Sequence, residues 1–245
     1  MNKMLFNEWL KIKQSKLLYF SLICIVFSPF ALWLLMTILN SDPKYDSVTY
    51  LEYMSMILKF ITSVVGLTLY NWIAAEMVSR EFRLDTIKSQ LTIPIARTDF
   101  LFLKLTAISI GMLLITTLSF ILGVLISFGL DLVGLNFSIT IKLLLVYIKS
   151  SFLMLPFTYF TVLLVLIFKQ SFLPMIINVL ILILTFVLDK FQIFAVFPWT
   201  APTRIIFLAS GQESSFSIVY SYYSIIALGL ISMFFAYRQI NRMEI

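Results

Sequence analysis

Apolar residues run in long blocks, and short polar stretches separate them. Leu17–Leu39 is the first block, and at ~1.5 Å per residue it is long enough to cross about 30 Å of hydrocarbon as a helix. Further blocks follow at 51–75, 105–130, 141–168, 172–188 and 216–237, with the fourth interrupted by Pro156. The pattern predicts an all-α integral membrane protein of six spans in a single domain over 1–245. Asn40–Tyr50 carries the turn signal Ser41-Asp42-Pro43, Asp131–Thr140 holds Gly134 and Asn136, and Lys169-Gln170-Ser171 is a tight turn. Ahead of the spans, residues 1–16 place Met1, Met4, Leu5, Trp9 and Ile12 on one helical face and Lys3, Glu8, Lys11 and Lys13 elsewhere. That is an amphipathic helix suited to a membrane interface, either as a positive anchor for the first span or as a docking element.

Composition supports the membrane reading. Apolar residues make up 61% of the chain and charged residues 12%, against about 25% charged in a soluble domain. Mean hydropathy is +1.01. The net charge of +6 therefore reports orientation and not nucleic-acid binding. With the N-terminus inside, the cytoplasmic segments hold twelve Lys/Arg and the external ones four, which predicts both termini in the cytoplasm of a bacterial plasma membrane. No cleavable signal peptide is expected, because the first apolar run is too long and lacks a small-x-small site. The single cysteine, Cys24, lies within an apolar run and reads as a packing residue.

The chain has no histidine. That removes HExxH zinc sites and Ser-His or Cys-His nucleophile pairs. No GxSxG or GxxxxGK[ST] occurs, so the chain has no P-loop for ATP. No Asp or Glu falls mid-span, which argues against coupling to protons or sodium through a buried carboxylate. No catalytic role and no metal site are expected.

The charged stretch 76–104 holds five of the 18 Lys/Arg and four of the 12 Asp/Glu. Leu84, Ile87 and Leu91 recur at helical spacing, with Arg80, Glu81, Arg83, Asp85 and Lys88 on other faces. Pro94 ends the pattern, and Thr98-Asp99 are caps for the next helix. This predicts a short cytoplasmic helix that either is a solvated connection or docks a soluble partner. Three other features stand out. Lys59 and Lys149 lie about two turns from the outer ends of their spans, where a lysine either snorkels or faces a cavity. Tyr70, Asn71, Trp72, Tyr159 and Asn178 are candidate cavity residues whose alternative is ordinary helix packing. Residues 189–215 are too apolar for a free loop, and Pro198 and Pro202 bar a continuous helix, which predicts a pair of short external re-entrant or interfacial helices anchored by Trp199.

The order Glu76, spacer, Asp85-Thr86, Ile87, Leu91-Thr92-Ile93-Pro94-Ile95-Ala96-Arg97, Lys104 resembles the segment between spans two and three of ABC-2-type transporter permeases. Asp85 stands where that family often has glycine. The opening NEWLKIKQSK and the core Pro198-Trp199-Thr200-Ala201-Pro202 are also similar to the family's N-terminal helix and external hairpin. In length and style the chain resembles short Gram-positive peptide exporters, namely lantibiotic and bacitracin immunity permeases and phenol-soluble modulin exporters. The resemblance implies that 76–104 is a coupling helix docked on a separate ATPase, with Glu76, Arg80, Glu81, Arg83, Leu84, Asp85, Thr86, Ile87, Lys88, Leu91, Pro94 and Arg97 as its coupling residues. It also implies two ATP-binding subunits that hold ATP and Mg, a second copy or a similar permease, and export of amphipathic or hydrophobic peptides. Pro198, Trp199 and Pro202 would gate the exit. The alternatives are an exporter of drugs or lipids, or a non-transporting scaffold or sensor.

Overall fold

A computed structural model describes residues 16–40, 49–83, 97–130, 132–188, 197–209 and 218–242. Helix α1 spans Lys16–Asn40 and α2 spans Tyr50–Arg83. Helices α3 (Arg97–Phe128), α4 (Phe137–Phe168) and α5 (Phe172–Leu188) follow. A 3₁₀ turn at Pro198–Thr200 leads into α6 (Ala201–Ala209), and α7 spans Ile218–Arg242. Among the described residues there is no strand, only one bridge between Thr49 and Val133. Five helices, α1 to α4 and α7, are long and apolar enough to cross a membrane, while α5, at 17 residues, is shorter.

Helix α2 is the central element. Its most apolar window is 61% buried within the protein, against 22% for α1 and 28% for α7. The outer faces of α1 and α7 expose Ile23, Phe27, Ile38, Leu230 and Phe234, an arrangement that suits lipid and not water. Helix α2 starts on a capping box, in which Thr49 Oγ1 accepts from Glu52 N (3.3 Å) and Thr49 N donates to Glu52 Oε2 (2.9 Å). It then widens to π geometry over Ile61–Tyr70 before resuming as an α-helix to Arg83.

Three tyrosines tie the first turns of α2 to α1 and α4. Tyr53 Oη donates to the Pro29 carbonyl on α1 (3.1 Å), and Tyr147 Oη on α4 donates to the Met54 carbonyl (2.7 Å). Tyr50 Oη lies 3.2 Å from Thr140 Oγ1. Each of these three rings is fully buried, so each hydroxyl needs its partner in a medium without water. Tyr50 N also donates to Val133 O (3.0 Å), which fixes the α3–α4 connection against the start of α2.

The structure differs from the apolar pattern in several places. Helix α4 begins at Phe137 and passes through Pro156 as one helix, capped at its end by Lys169 in the left-handed conformation (φ 56°). The proline ring packs on a glycine of α7: a Cβ on Gly229 would lie 3.3 Å from Pro156 Cβ and Cγ. Helix α2 continues from Ala75 to Arg83, and α3 begins at Arg97, so the charged stretch 76–104 is helical at both ends. Apolar blocks mark where lipid contact stops, whereas a helix stops only where its backbone hydrogen bonds do. The same rule governs the Pro198–Pro202 region, which is packed inward: Thr200, Ala201 and Pro202 are buried. The rest of the expected external hairpin, 189–196 and 210–217, lies outside the described residues.

Candidate functional site

The charged end of the bundle is built around one ion pair. Glu81 on α2 and Lys104 on α3 meet at 2.8 Å (Oε1 to Nζ), with side chains only 3% and 2% exposed. Lys104 Nζ also reaches the Met77 carbonyl at 3.4 Å. A buried charge is tolerated only with an opposite charge and further hydrogen bonds, and here two helices each supply one half. Glu81, expected to face a partner, is therefore turned inward, and Lys104 is its counter-charge. On the outer face of α2, Arg83 pairs with Glu76 two turns earlier, its side chain 55% exposed. Arg80 is half-buried and partnered, and Asp99 is exposed at the start of α3. Leu84, Asp85, Thr86, Ile87, Lys88, Leu91 and Pro94 lie outside the described residues, as does the side chain of Arg97. The observed geometry is thus a frame in which the end of α2 and the start of α3 are clamped together.

A second polar centre lies deeper. Asn71 Nδ2 on α2 donates to Leu67 O (3.0 Å) and to Asn178 Oδ1 on α5 (3.2 Å). Asn178 Nδ2 donates to Pro174 O (2.9 Å) and to Thr161 Oγ1 on α4 (3.0 Å). Three helices are thereby joined through side chains, as interhelical polar contacts do where lipid offers no alternative partner. Both amide nitrogens face acceptors, which sets both amide orientations and leaves Asn71 Oδ1 without a partner among the described residues.

Beside this network lies a cavity of about 270 Å³ lined by Phe20 and Cys24 of α1, Thr68, Leu69, Asn71 and Trp72 of α2, and Met175, Asn178 and Val179 of α5. Of the sequence-derived cavity residues, Asn71, Trp72 and Asn178 line it. Tyr70 is fully buried in the core, and Tyr159 is half-buried against it. Lys59 is half-buried, Lys149 is exposed, and neither lines this cavity. Phe20, Cys24, Thr68, Met175 and Val179 carried no sequence signal, because their role depends on which helices are neighbours. Trp199 stands among Phe157, Phe160 and Phe197, with ring centroids 5.7, 5.4 and 5.1 Å away.

Long apolar helices and lipid-suited outer faces define a multi-pass helical membrane protein. Residues 4–185 match the family described as ABC-2 family transporter protein, and the chain belongs to that family. It is also 25% identical over 190 residues to the bacitracin transport permease protein BCRB of Bacillus licheniformis, covering 74% of this chain and 88% of that protein. The chain is accordingly a transporter permease subunit, not itself catalytic, and the family implies ABC ATP-binding subunits as its partners.

Proposed function

We propose that the chain is the membrane subunit of an ATP-driven exporter that moves amphipathic or hydrophobic peptides out of the cell by alternating access. Six helices span the membrane, α5 included, and both termini lie in the cytoplasm, in keeping with the twelve-to-four bias of Lys/Arg. Residues 84–96 dock on an ATPase, and two such subunits work with two permeases, either two copies of this chain or one copy and a similar permease.

The observation that carries this reading is the frame made by Glu81 and Lys104. In a chain without a P-loop, energy enters from another protein, and a docked segment can transmit it only if the helices it joins move together. The clamp makes the cytoplasmic ends of α2 and α3 one lever. Leu84, Ile87 and Leu91 supply apolar anchors, and Arg83, Asp85 and Lys88 set the register. The peptide cargo rests on the family resemblance and on a relative named for bacitracin transport.

The test is co-purification and reconstitution with an ATP-binding cassette protein, sought first in the adjacent reading frame. Arg83→Glu or Asp85→Lys is expected to uncouple ATP hydrolysis from transport. Substrate-stimulated hydrolysis that survives both reversals would sink the coupling assignment. Recovery of a non-ATPase partner in place of the cassette protein would instead give a scaffold.

A further inference from the structure

Helix α4 is covered unevenly along its length. Over its second half, from Leu153 to Leu166, no residue is exposed. Over its first half one stripe stays open. Lys142, Leu145, Lys149 and Phe152 are all exposed and recur at intervals of three, four and three residues, which is one face of a helix. Tyr147, Ser150, Ser151 and Met154, on the opposite face, are buried. From Lys142 to Phe152 the stripe rises about 15 Å, half of the ~30 Å hydrocarbon layer. The open stretch therefore has the depth of one leaflet. A lipid covers that depth and stops, whereas a helix packed along α4 has no reason to stop at the midplane.

The stripe carries two ammoniums on a surface that faces lipid. A charge there is unfavourable unless an anion or the headgroup layer reaches it. Neither Lys142 nor Lys149 has a partner among the described residues. The two lie two turns apart, about 10 Å along the helix. Side chains on a helix lean toward its N-terminus, so the long Lys149 stem runs back toward Lys142 and the membrane surface. Leu145 lies between the two stems, and Phe152 continues the stripe toward the midplane. Tyr50, bonded to Thr140 and Val133, sets the start of α4 beside the start of α2, at the end opposite the Glu81–Lys104 clamp. A second copy of the chain offers these lysines no free carboxylate among the described residues. Its acids there are Glu52, Glu76, Glu81 and Asp99; Glu52 is held in the capping box, and the other three lie at the clamped end.

We propose that the Lys142–Lys149 stripe binds one anionic phospholipid, with its phosphate held between the two ammoniums and an acyl chain laid along Leu145 and Phe152. The lipid belongs to the leaflet opposite the clamp, which is the outer leaflet in the orientation given under the proposed function. The site involves neither cargo nor ATPase, so it stands or falls apart from the export reading.

The full-length protein in detergent is titrated with dioleoylphosphatidylglycerol or dioleoylphosphatidylcholine, and bound lipids are counted by native mass spectrometry. Each lysine at a lipid phosphate is expected to contribute about five-fold in affinity, so the native protein prefers phosphatidylglycerol by about 25-fold. Lys142→Gln and Lys149→Gln are each expected to lose about five-fold for phosphatidylglycerol, and the double variant the whole preference, with phosphatidylcholine binding unchanged. Lys169→Gln removes an exposed lysine at the other end of α4 and is expected to leave the preference intact. Free glycerol phosphate, which has the headgroup charge without the chains, is expected not to displace the lipid. Four results would each overturn the proposal: no preference in the native protein, a preference that survives loss of both lysines, an equal loss in Lys169→Gln, or displacement by glycerol phosphate. A dimer that dissociates in the double variant while the lipid preference persists would also overturn it and assign the stripe to a second copy.

Discussion

Lys104→Met tests the clamp directly. The native Nζ–Oε1 separation is 2.8 Å, and neither side chain is more than 3% exposed. At an effective dielectric near 20, two unit charges at that distance attract by about 6 kcal/mol, and the desolvation of both ions offsets most of it. The intact pair thus contributes little net stability. Removal of the ammonium alone takes away the attraction and leaves the carboxylate desolvated, which costs about 3–5 kcal/mol. Removal of both charges in Glu81→Leu/Lys104→Met is expected to return stability to within about 1 kcal/mol of the native protein. Thermal unfolding in nanodiscs, read as a double-mutant cycle, measures the coupling. A Lys104→Met loss below about 1 kcal/mol, or strictly additive effects in the double variant, would show that the two groups do not act as one buried unit.

Other outcomes follow from the packing. Trp199→Ala removes the centre of the Phe157–Phe160–Phe197 cluster and is expected to destabilise the protein by about 3–5 kcal/mol, measured by the same unfolding assay. A surface anchor at that position would lose far less. Gly229→Val drives new methyl groups into Pro156, where even a Cβ already sits at 3.3 Å, and is expected to cost about 1–3 kcal/mol. A Pro156→Ala background should recover part of that loss if the glycine is there to admit the proline. Tyr147→Phe removes the second hydrogen bond to the Met54 carbonyl, which keeps its bond within α2, and is expected to cost about 0.5–1.5 kcal/mol, with no loss if the interhelical bond contributes nothing.

Several features were legible in the one-dimensional pattern because they depend on local quantities. Spans follow from runs of apolar residues, since the thickness of the hydrocarbon layer sets a length. The tight turn at Lys169-Gln170-Ser171 follows from its composition, and Lys169 takes the left-handed cap at the end of α4. The segment around Leu91–Arg97 carried the family resemblance that the match over 4–185 then established.

Other features needed the neighbours. A run of charges between two spans reads as solvated, and nothing in spacing tells that Glu81 and Lys104, far apart in sequence, face each other in a dry gap. Tyr50, Tyr53 and Tyr147 look like ordinary apolar positions until α1, α2 and α4 converge on them. Asn178 was visible as an amide in a span, but its bonds to Asn71 and Thr161 belong to the packing of α2, α4 and α5. The sequence by itself determined that this chain lives in a membrane, roughly where its long apolar helices lie, and which family it joins, because hydrophobic length and a short motif are properties of contiguous residues. Only the tertiary structure decided which charges are buried, which amides meet and where a cavity opens. In a medium without water a polar group must find its partner in its own helix or on another, and a partner on another helix is set by packing and not by distance along the chain.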